Sequence, residues 1–308
     1  MKALVISGGG SKGAFAGGVA QFLIKECNKR YDIFIGCSAG SLLIPLLSLG
    51  ETEKLHTIFT TVKQEDIFNI NPFIISKKNG EFKTSINHFG IVRMFIKQKK
   101  TFGESLNLRE LIRMFLTNED FLEIKSAAFD VVITVANLTT MQVEYKSIKN
   151  CTYEDFCDWI WASSNVVPFM SLLQKDDSEY GDGGFGNNVP VSRAIMMGAT
   201  DIDIIVLRNE KDEVKNPPVR NALDLTERAF NFMLNQIQVD DLAIGRMEGL
   251  QKEVTLNFYQ PQETLTANSL IFDPAKMKEW WRIGLQYARE NSPDCFCVEA
   301  KNIKKVIS

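Results

Sequence analysis

Two stretches near the start of the chain decide the fold class. The first is Ala3-Leu4-Val5-Ile6-Ser7, followed by Gly8-Gly9-Gly10-Ser11-Lys12-Gly13, and the second runs from Asp32 to Cys37 and continues as Ser38-Ala39-Gly40. Each is a short apolar run of the buried-strand type that meets a turn of small residues and then an apolar-periodic helix. This strand–loop–helix order, occurring twice in succession, is typical of an α/β protein with a parallel sheet.

Composition sets the broad class of the protein. The chain has 308 residues, of which 45% are hydrophobic and 24% charged, as in an ordinary soluble globular protein. Its formal net charge of -3 provides no basic field, so we expect no nucleic-acid partner. Glycines interrupt the first apolar run, which argues against a signal peptide, and the six cysteines form no CxxC pair. We therefore expect reduced thiols and a cytoplasmic location.

The rest of the chain continues the α/β pattern after one irregular segment. Residues 51–125 lean towards helix and are rich in Phe, Ile and Lys. We predict a single domain over residues 1–308, with residues 51–125 as a helical insertion or cap and a mainly helical C-terminal part at 219–308. Further strands are predicted at 130–135, 141–147, 203–207 and 254–258, and further helices at 153–162, 191–197, 220–249 and 274–289.

Gly36-Cys37-Ser38-Ala39-Gly40 matches the G-x-S-x-G pattern of a nucleophile elbow between a strand and a helix. A serine on such a tight, strained turn needs small neighbours, here Gly36 and Gly40, and its Oγ is pushed out of the sheet towards an exposed position. The helix N-terminus then favours developing negative charge. The alternative is an ordinary strand–helix turn in which Ser38 caps the helix.

The glycine loop has two interpretations. Bare backbone N–H groups can bind a phosphate or an oxyanion, and Gly8-x-Gly10-x-x-Gly13 formally matches a dinucleotide fingerprint. That fingerprint requires an acidic residue at the end of the second strand, whereas Asp32 lies at its start, so we predict no cofactor. Loops after neighbouring parallel strands share one edge of the sheet. We therefore predict an oxyanion hole beside Ser38, in which the Gly9 and Gly10 N–H groups act as donors; its residues are Gly8, Gly9, Gly10, Lys12 and Gly13.

The base that would activate Ser38 is harder to find, because the chain has only two histidines, His56 and His88. A Ser-His-Asp hydrolase with this elbow carries its histidine after the acid, late in the chain, where there is none. The acid loop Asp182-Gly183-Gly184 offers a carboxylate in a tight turn, although an ordinary Asx turn has the same sequence. Asp182 is our preferred base, with His56 and His88 as alternatives. Neither histidine has metal-ligand spacing, so no metal is predicted.

Together these motifs resemble the patatin-like phospholipases. The glycine loop Gly8–Gly13, the elbow Gly36–Gly40, the block Ala162–Phe169 and the acid loop Asp182–Gly184 occur in that family's order. The block has one residue more before Pro168 than the family pattern. The resemblance covers residues 1–210 and implies a three-layer α/β/α sandwich with a mainly parallel central sheet. It also implies a Ser-Asp dyad that hydrolyses lipid acyl esters without a metal.

An acyltransferase, a thioesterase and a non-catalytic lipid-binding protein remain alternatives on the same scaffold. A lipid ester is the expected partner, and no feature of the sequence specifies an oligomeric state. Phe89, Ile91, Phe95 and Phe102 lie beside Lys97, Lys99 and Lys100. An interfacial lid with peripheral membrane contact would have this composition, but we favour a cap helix with a polar face.

Overall fold

A mixed β-sheet organises the residues that the computed structural model describes, namely 1–78, 81–209, 218–219, 222–266 and 268–292. Five parallel strands lie in the order β10-β9-β1-β2-β5. Antiparallel β6 pairs with one edge of β5, whereas antiparallel β8, which also pairs with β7, continues along the edge that β2 occupies. A separate antiparallel hairpin is formed by β3 and β4. The strands are β1 (Lys2–Ile6), β2 (Ile33–Cys37), β3 (Phe73–Lys78), β4 (Glu81–Ile86), β5 (Asp130–Asn137), β6 (Gln142–Ser147), β7 (Leu173–Lys175), β8 (Ser178–Asp182), β9 (Asp201–Ile205) and β10 (Thr255–Tyr259).

Helices cover both faces of this sheet. Successive side chains of β1 point to opposite faces, so Leu4 and Ile6 enter one hydrophobic core while Ala3 and Val5 enter another. The predicted three-layer α/β/α fold is therefore confirmed, with a sheet that is parallel at its centre. The helices are α1 (Gly13–Gln21), α2 (Ala39–Ser48), α3 (Thr52–Thr61), α4 (Gln64–Ile67), α5 (His88–Ile96), α6 (Leu106–Phe115), α7 (Asn118–Ser126), α8 (Tyr153–Ser163), α9 (Val191–Met196), α10 (Ala222–Gln251) and α11 (Pro274–Asn291).

The 51–125 segment is more than a helical insertion. It contains the helices α3 to α7, in keeping with a helix-leaning, irregular segment, and also the β3–β4 hairpin between α4 and α5, which the sequence did not predict. The sequence of the hairpin shows little of the alternation of apolar and polar residues that indicates a strand. The turn between its two strands lies outside the described residues. The outward face of α5 is apolar rather than polar, because Phe89, Phe95 and Ile96 point to solvent.

The last helix completes the core on one face of the sheet. Trp281 is buried against α1, and its indole N–H donates a hydrogen bond to Gln21 Oε1 at 2.7 Å. A Cβ added at Gly17 would lie 2.0 Å from the Trp281 ring, so α1 must carry glycine to admit it. Residues well beyond the predicted motifs therefore hold the helix that follows the glycine loop.

The prediction of reduced thiols holds for some of the cysteines but not for all of them. Cys37, Cys151 and Cys157 are free and buried, as predicted for reduced thiols. Cys27 is disulfide-bonded, so the expectation is wrong at that position. Cys295 and Cys297 lie outside the described residues.

Candidate active site

The elbow turn holds Ser38 in a strained conformation. Ser38 lies between the end of β2 and the start of α2 and has φ 51° and ψ -120°. Residues other than glycine rarely adopt these backbone angles. A Cβ at Gly40 would lie 2.2 Å from the Ile6 carbonyl oxygen, and one at Gly36 would lie 2.5 Å from the Gly40 carbonyl carbon. The Ser38 side chain makes no capping hydrogen bond to α2, so the interpretation of Ser38 as a helix cap is wrong.

The register of β5 brings the elbow and the acid loop together. Parallel β2 pairs with the first part of β5 and ends with Cys37 opposite Thr134. Antiparallel β8 pairs with the next part and ends with Asp182 opposite Val135. Because β6 occupies the other edge of β5, β2 and β8 lie on the same edge and end facing each other. Ser38 and Asp182 therefore meet, although 143 residues of sequence separate them.

Asp182 was expected in a loop but ends a strand, and its carboxyl group is buried. Its Oδ1 accepts the Gly184 N–H at 2.8 Å and the Cys37 thiol at an Oδ1–Sγ distance of 3.8 Å. Burial raises the pKa of Asp182 to about 6, while hydrogen bonds from Ser38, Gly184 and Cys37 act in the opposite direction. A carboxylate with this pKa is a stronger base than an exposed aspartate and remains ionised at neutral pH.

Two backbone N–H groups of the glycine loop are available to an anion. The Gly8 N–H donates to two oxygens of Asn188, the side-chain Oδ1 at 3.0 Å and the backbone carbonyl at 3.2 Å. The Gly13 N–H donates to the backbone carbonyls of Gly10 and Ser11. Within the described part of the chain, the N–H groups of Gly9 and Gly10 have no protein acceptor. The oxyanion-donor role of Gly9 and Gly10 stays a prediction, whereas the N–H groups of Gly8 and Gly13 already have acceptors within the protein.

Lys12 and Gly10 show how the loop is held in place. Lys12 is half-buried in the 3₁₀ turn Gly10–Lys12, and its N–H donates to the Gly9 carbonyl at 3.2 Å. Gly10 has φ +55°, and a Cβ there would lie 2.2 Å from the Ser269 carbonyl oxygen. That same carbonyl accepts the Ser11 N–H at 2.8 Å. The loop therefore depends on a segment of the C-terminal third in which the sequence showed no motif.

The block Ala162–Phe169 connects the two halves of the site. Ser163 Oγ accepts the Ser38 N–H at 3.0 Å and donates to the Thr134 carbonyl at 2.6 Å. The Asn165 carbonyl accepts the Asp182 N–H at 3.0 Å. The last residue of α8 and the turn that follows it thus fix the backbone of Ser38 and Asp182 respectively, a role that the sequence alone did not reveal.

Asn188 was not identified from the sequence. Its side-chain N–H donates to Gln238 Oε1 at 2.9 Å, and its backbone N–H donates to Asp241 Oδ2 at 2.6 Å. Burial raises the pKa of Asp241 to about 6, against hydrogen bonds from Val189 and Asn188. The available signal was the pair Asn187-Asn188, which follows the acid loop after Phe185-Gly186.

The two groups are less accessible than expected. Ser38 is 7% exposed and Asp182 4% exposed, whereas an exposed serine was predicted. The glycine loop lies against Ser38, since a Cβ at Gly8 would approach the Ser38 Cβ to 3.0 Å. The elbow therefore faces the loop, as an oxyanion hole requires, and not open solvent.

Neither histidine is seen in contact with Ser38 or Asp182 in the described part of the structure. The His56 ring packs edge-on against Trp281 of α11, with centroids 5.1 Å apart. Across the described residues, no hydrogen bond links His56 to Ser38 or Asp182. His88 is the first residue of α5, and its side chain lies outside the described part of the structure.

Comparison with known proteins identifies the family. Residues 4–195 match the sequence model of the patatin-like phospholipases. The chain belongs to this family. The matched region contains the elbow, the glycine loop and the acid loop, but ends before Gln238, Asp241 and Ser269, which hold the glycine loop from outside.

One curated relative and one solved structure are similar to this patatin-like chain. The relative is "Probable lipid hydrolase 463L" of Invertebrate iridescent virus 6, which is 25% identical over 194 residues. That match spans 63% of this chain and 63% of the relative, so it covers less than two thirds of the relative's length. The structure is that of VipD from Legionella pneumophila, with 12% identity and a TM-score of 0.39 over 94% of this chain and 67% of that chain.

Neither a membrane-spanning helix nor a metal-binding cluster occurs among the described residues. No helix there combines the length and apolar character needed to cross a bilayer. No group of three or more His, Cys, Asp or Glu side chains with metal-binding geometry occurs among the same residues.

Proposed function

We propose that this patatin-like protein is a serine lipid acyl hydrolase of the phospholipase A or lysophospholipase kind, working through an acyl-enzyme on Ser38 and Asp182. The observation that carries the proposal is the buried Asp182 carboxylate, which ends β8 facing the Ser38 turn at the end of β2 and whose pKa is raised by burial to about 6. Membership of a phospholipase family supports a lipid ester as the substrate.

In the first half of the reaction, Ser38 Oγ attacks the ester carbonyl carbon while Asp182 accepts the hydroxyl proton. The carbonyl oxygen becomes an oxyanion that the Gly9 and Gly10 N–H groups can bind. A single donor of this kind contributes about 3 kcal/mol to transition-state stabilisation. When the tetrahedral intermediate collapses, the carbon–oxygen bond to the alcohol breaks, and Asp182 returns its proton to that alcohol.

In the second half, water replaces the alcohol. Asp182, ionised again, removes a proton from the water as its oxygen attacks the acyl carbon. Collapse of this intermediate releases the fatty acid, and Ser38 regains its proton from Asp182. Burial serves both steps, because a carboxylate with a pKa near 6 accepts the proton of Ser38 or of water more readily than one near ~3.9, yet is still mostly ionised at neutral pH.

The test uses two substrates, a short-chain nitrophenyl ester and mixed phospholipid vesicles, with a chelator in place of calcium. We expect the wild type to release fatty acid from both. Ser38→Ala and Asp182→Asn should each lose at least about a thousandfold in kcat, since removal of a nucleophile or its base has effects of that order. Asn187→Ala, beside the acid loop, is a matched control that should keep activity.

Three outcomes would redirect the assignment. Retention of most activity by Asp182→Asn would exclude it as the base and make His56 and His88 the next candidates. Transfer of the acyl group to an added alcohol or thiol in preference to water would favour an acyltransferase. Tight lipid binding by both wild type and Ser38→Ala, without turnover of either ester, would indicate a lipid-binding protein.

A further inference from the structure

Helix α5 is apolar on both of its sides. Ile91 and Met94 are buried against the protein. The outward side presents what we term the docking face, whose residues and exposed fractions are Phe89 (83%), Val92 (55%), Phe95 (71%) and Ile96 (78%). Positions i, i+3 and i+7 share one side of a helix. Large apolar side chains grouped in this way mark a contact surface rather than ordinary surface composition.

Cations surround the docking face. Arg93 lies within α5, and Lys97, Lys99 and Lys100 follow its end, all of them exposed. Lys99 pairs with Glu104 at 3.1 Å and Lys100 with Glu179 at 2.7 Å. Four cations against two carboxylates leave this region positive in a chain whose net charge is -3. Apolar side chains bordered by Lys and Arg suit the boundary between anionic headgroups and acyl chains.

A row of aromatic rings leads from this face to the acid loop. Phe95 contacts Phe102 with centroids 6.1 Å apart, and Phe102 contacts Phe169 at 6.0 Å. Phe169 contacts Phe230 at 6.1 Å, and Phe230 contacts Phe185 at 5.5 Å. Phe185 ends the 3₁₀ turn that begins directly after Asp182. The aromatic row therefore connects the docking face with the turn that follows Asp182.

We propose that α5 docks this protein onto an anionic lipid bilayer, with the aromatic row guiding an acyl chain from the bilayer towards Ser38. The guiding role rests on the proposed lipid hydrolysis, whereas docking by itself does not. A second copy of the chain fits the face less well. Two such faces related by a two-fold axis would bring four cations against four, which opposes association.

Binding is measured first, by sedimentation of the full chain carrying Ser38→Ala, so that the vesicles stay intact. The vesicles are phosphatidylcholine alone, or three parts phosphatidylcholine to one part phosphatidylserine. We expect binding to the mixed vesicles, weakened by salt. Adding Phe89→Ser and Ile96→Ser, two docking-face residues outside the aromatic row, should lower the partition coefficient at least about tenfold, because two large apolar side chains no longer leave water. Lys97→Glu should weaken binding to the mixed vesicles only.

Met114→Ser with Leu122→Ser is the matched control, since it also removes two exposed apolar side chains from helices but away from α5. Its binding should equal that of the parent. Docking through α5 would be overturned if both double variants lost vesicle binding equally, or if the α5 pair lost none. A dimer in size-exclusion chromatography that the α5 pair dissociates without any change in vesicle binding would also overturn it.

Activity separates the two proposals. With Ser38 present, the α5 pair should hydrolyse a short soluble ester at the wild-type rate but lose most hydrolysis of mixed vesicles. Equal loss on both substrates would overturn the docking role. If the wild type hydrolyses neither ester while the Ser38→Ala chain still binds mixed vesicles through α5, the proposed function fails and docking stands.

Discussion

At the residue scale, the candidate site depends on one buried carboxyl group. Asp182 would be a weak base if it were exposed, and burial corrects this by raising its pKa to about 6. The Gly184 N–H and the Cys37 thiol donate hydrogen bonds to its Oδ1, and together with Ser38 they limit how far burial raises this pKa. The thiol of Cys37 remains protonated, because burial and the nearby Asp182 charge raise its pKa well above the usual range.

The first prediction concerns pH. Asp182 must be ionised to accept the Ser38 proton, so kcat/KM for a soluble ester should rise with pH, with a midpoint near about 6, and then level off. Below the midpoint, activity should fall about tenfold for each pH unit. A rate profile in overlapping buffers checks this.

Asp241→Asn is the control for that profile, since the pKa of Asp241 is also raised to about 6 but its carboxylate contacts Asn188 and Val189 rather than Ser38. This variant should keep the acidic limb at the same midpoint. If the limb disappears in Asp241→Asn, the titrating group has been misassigned.

The second prediction concerns Asn188, whose Oδ1 accepts the Gly8 N–H at 3.0 Å. Asn188→Ala should free the glycine loop and lower kcat about tenfold, less than the ~100-fold expected when an oxyanion donor itself is removed. KM should change little, because the loop acts on the transition state.

Steady-state kinetics on a soluble ester, compared with Asn187→Ala, measure the role of Asn188. Asn187 hydrogen-bonds Tyr145 Oη at 2.8 Å, away from the glycine loop. Identical kcat values for the two variants would show that the asparagine does not position the loop.

At the element scale, local patterns located the parallel sheet and both turns of the site. The strand before the glycine loop and the strand before Ser38 were predictable because apolar runs and glycines mark them directly. β8 was not, because Ser178–Asp182 is too short and polar to show strand alternation, and it pairs with residues more than 40 positions earlier. The contribution of Asn188 was hidden for the same reason, since its partners lie on α10.

The third prediction tests how tightly two helices pack. A Cβ at Gly18 would lie 2.0 Å from the Trp281 carbonyl oxygen of α11, which is backbone and cannot rotate away. Gly18→Ala should therefore lower the free energy of unfolding by about 2 kcal/mol, despite the better helix propensity of alanine. Urea denaturation followed by circular dichroism measures it.

Gly249→Ala provides the comparison for Gly18. Its Cβ would meet only the movable end of the Leu256 side chain, at 2.6 Å. This change should stay within about 1 kcal/mol of wild type. Equal destabilisation by the two substitutions would mean that loss of glycine, and not contact between α1 and α11, sets the effect.

At the scale of the whole molecule, the proposed catalytic base opposes stability. The pKa of Asp182 is about 6 in the folded protein but near its ordinary 3.8 once unfolded. Because the folded value is the higher one, the ionised side chain destabilises the fold. The penalty is absent below pH 3.8, grows between that pH and about 6, and is complete above it. A difference of about two pKa units corresponds to roughly 3 kcal/mol.

The fourth prediction is that Asp182→Asn is more stable than wild type at pH 8 and loses this advantage as the pH falls towards 4. Asparagine can still accept the Gly184 N–H but carries no buried charge. Asp120→Asn should show the opposite trend, because hydrogen bonds from Lys54 and Thr117 outweigh desolvation and lower the pKa of Asp120. Its carboxylate stabilises the fold near neutral pH, and this contribution fades in acid as that carboxylate is protonated. Thermal unfolding at several pH values distinguishes the two trends. A pH-independent effect of Asp182→Asn would mean that the side chain is uncharged throughout, which would remove it as the base for Ser38.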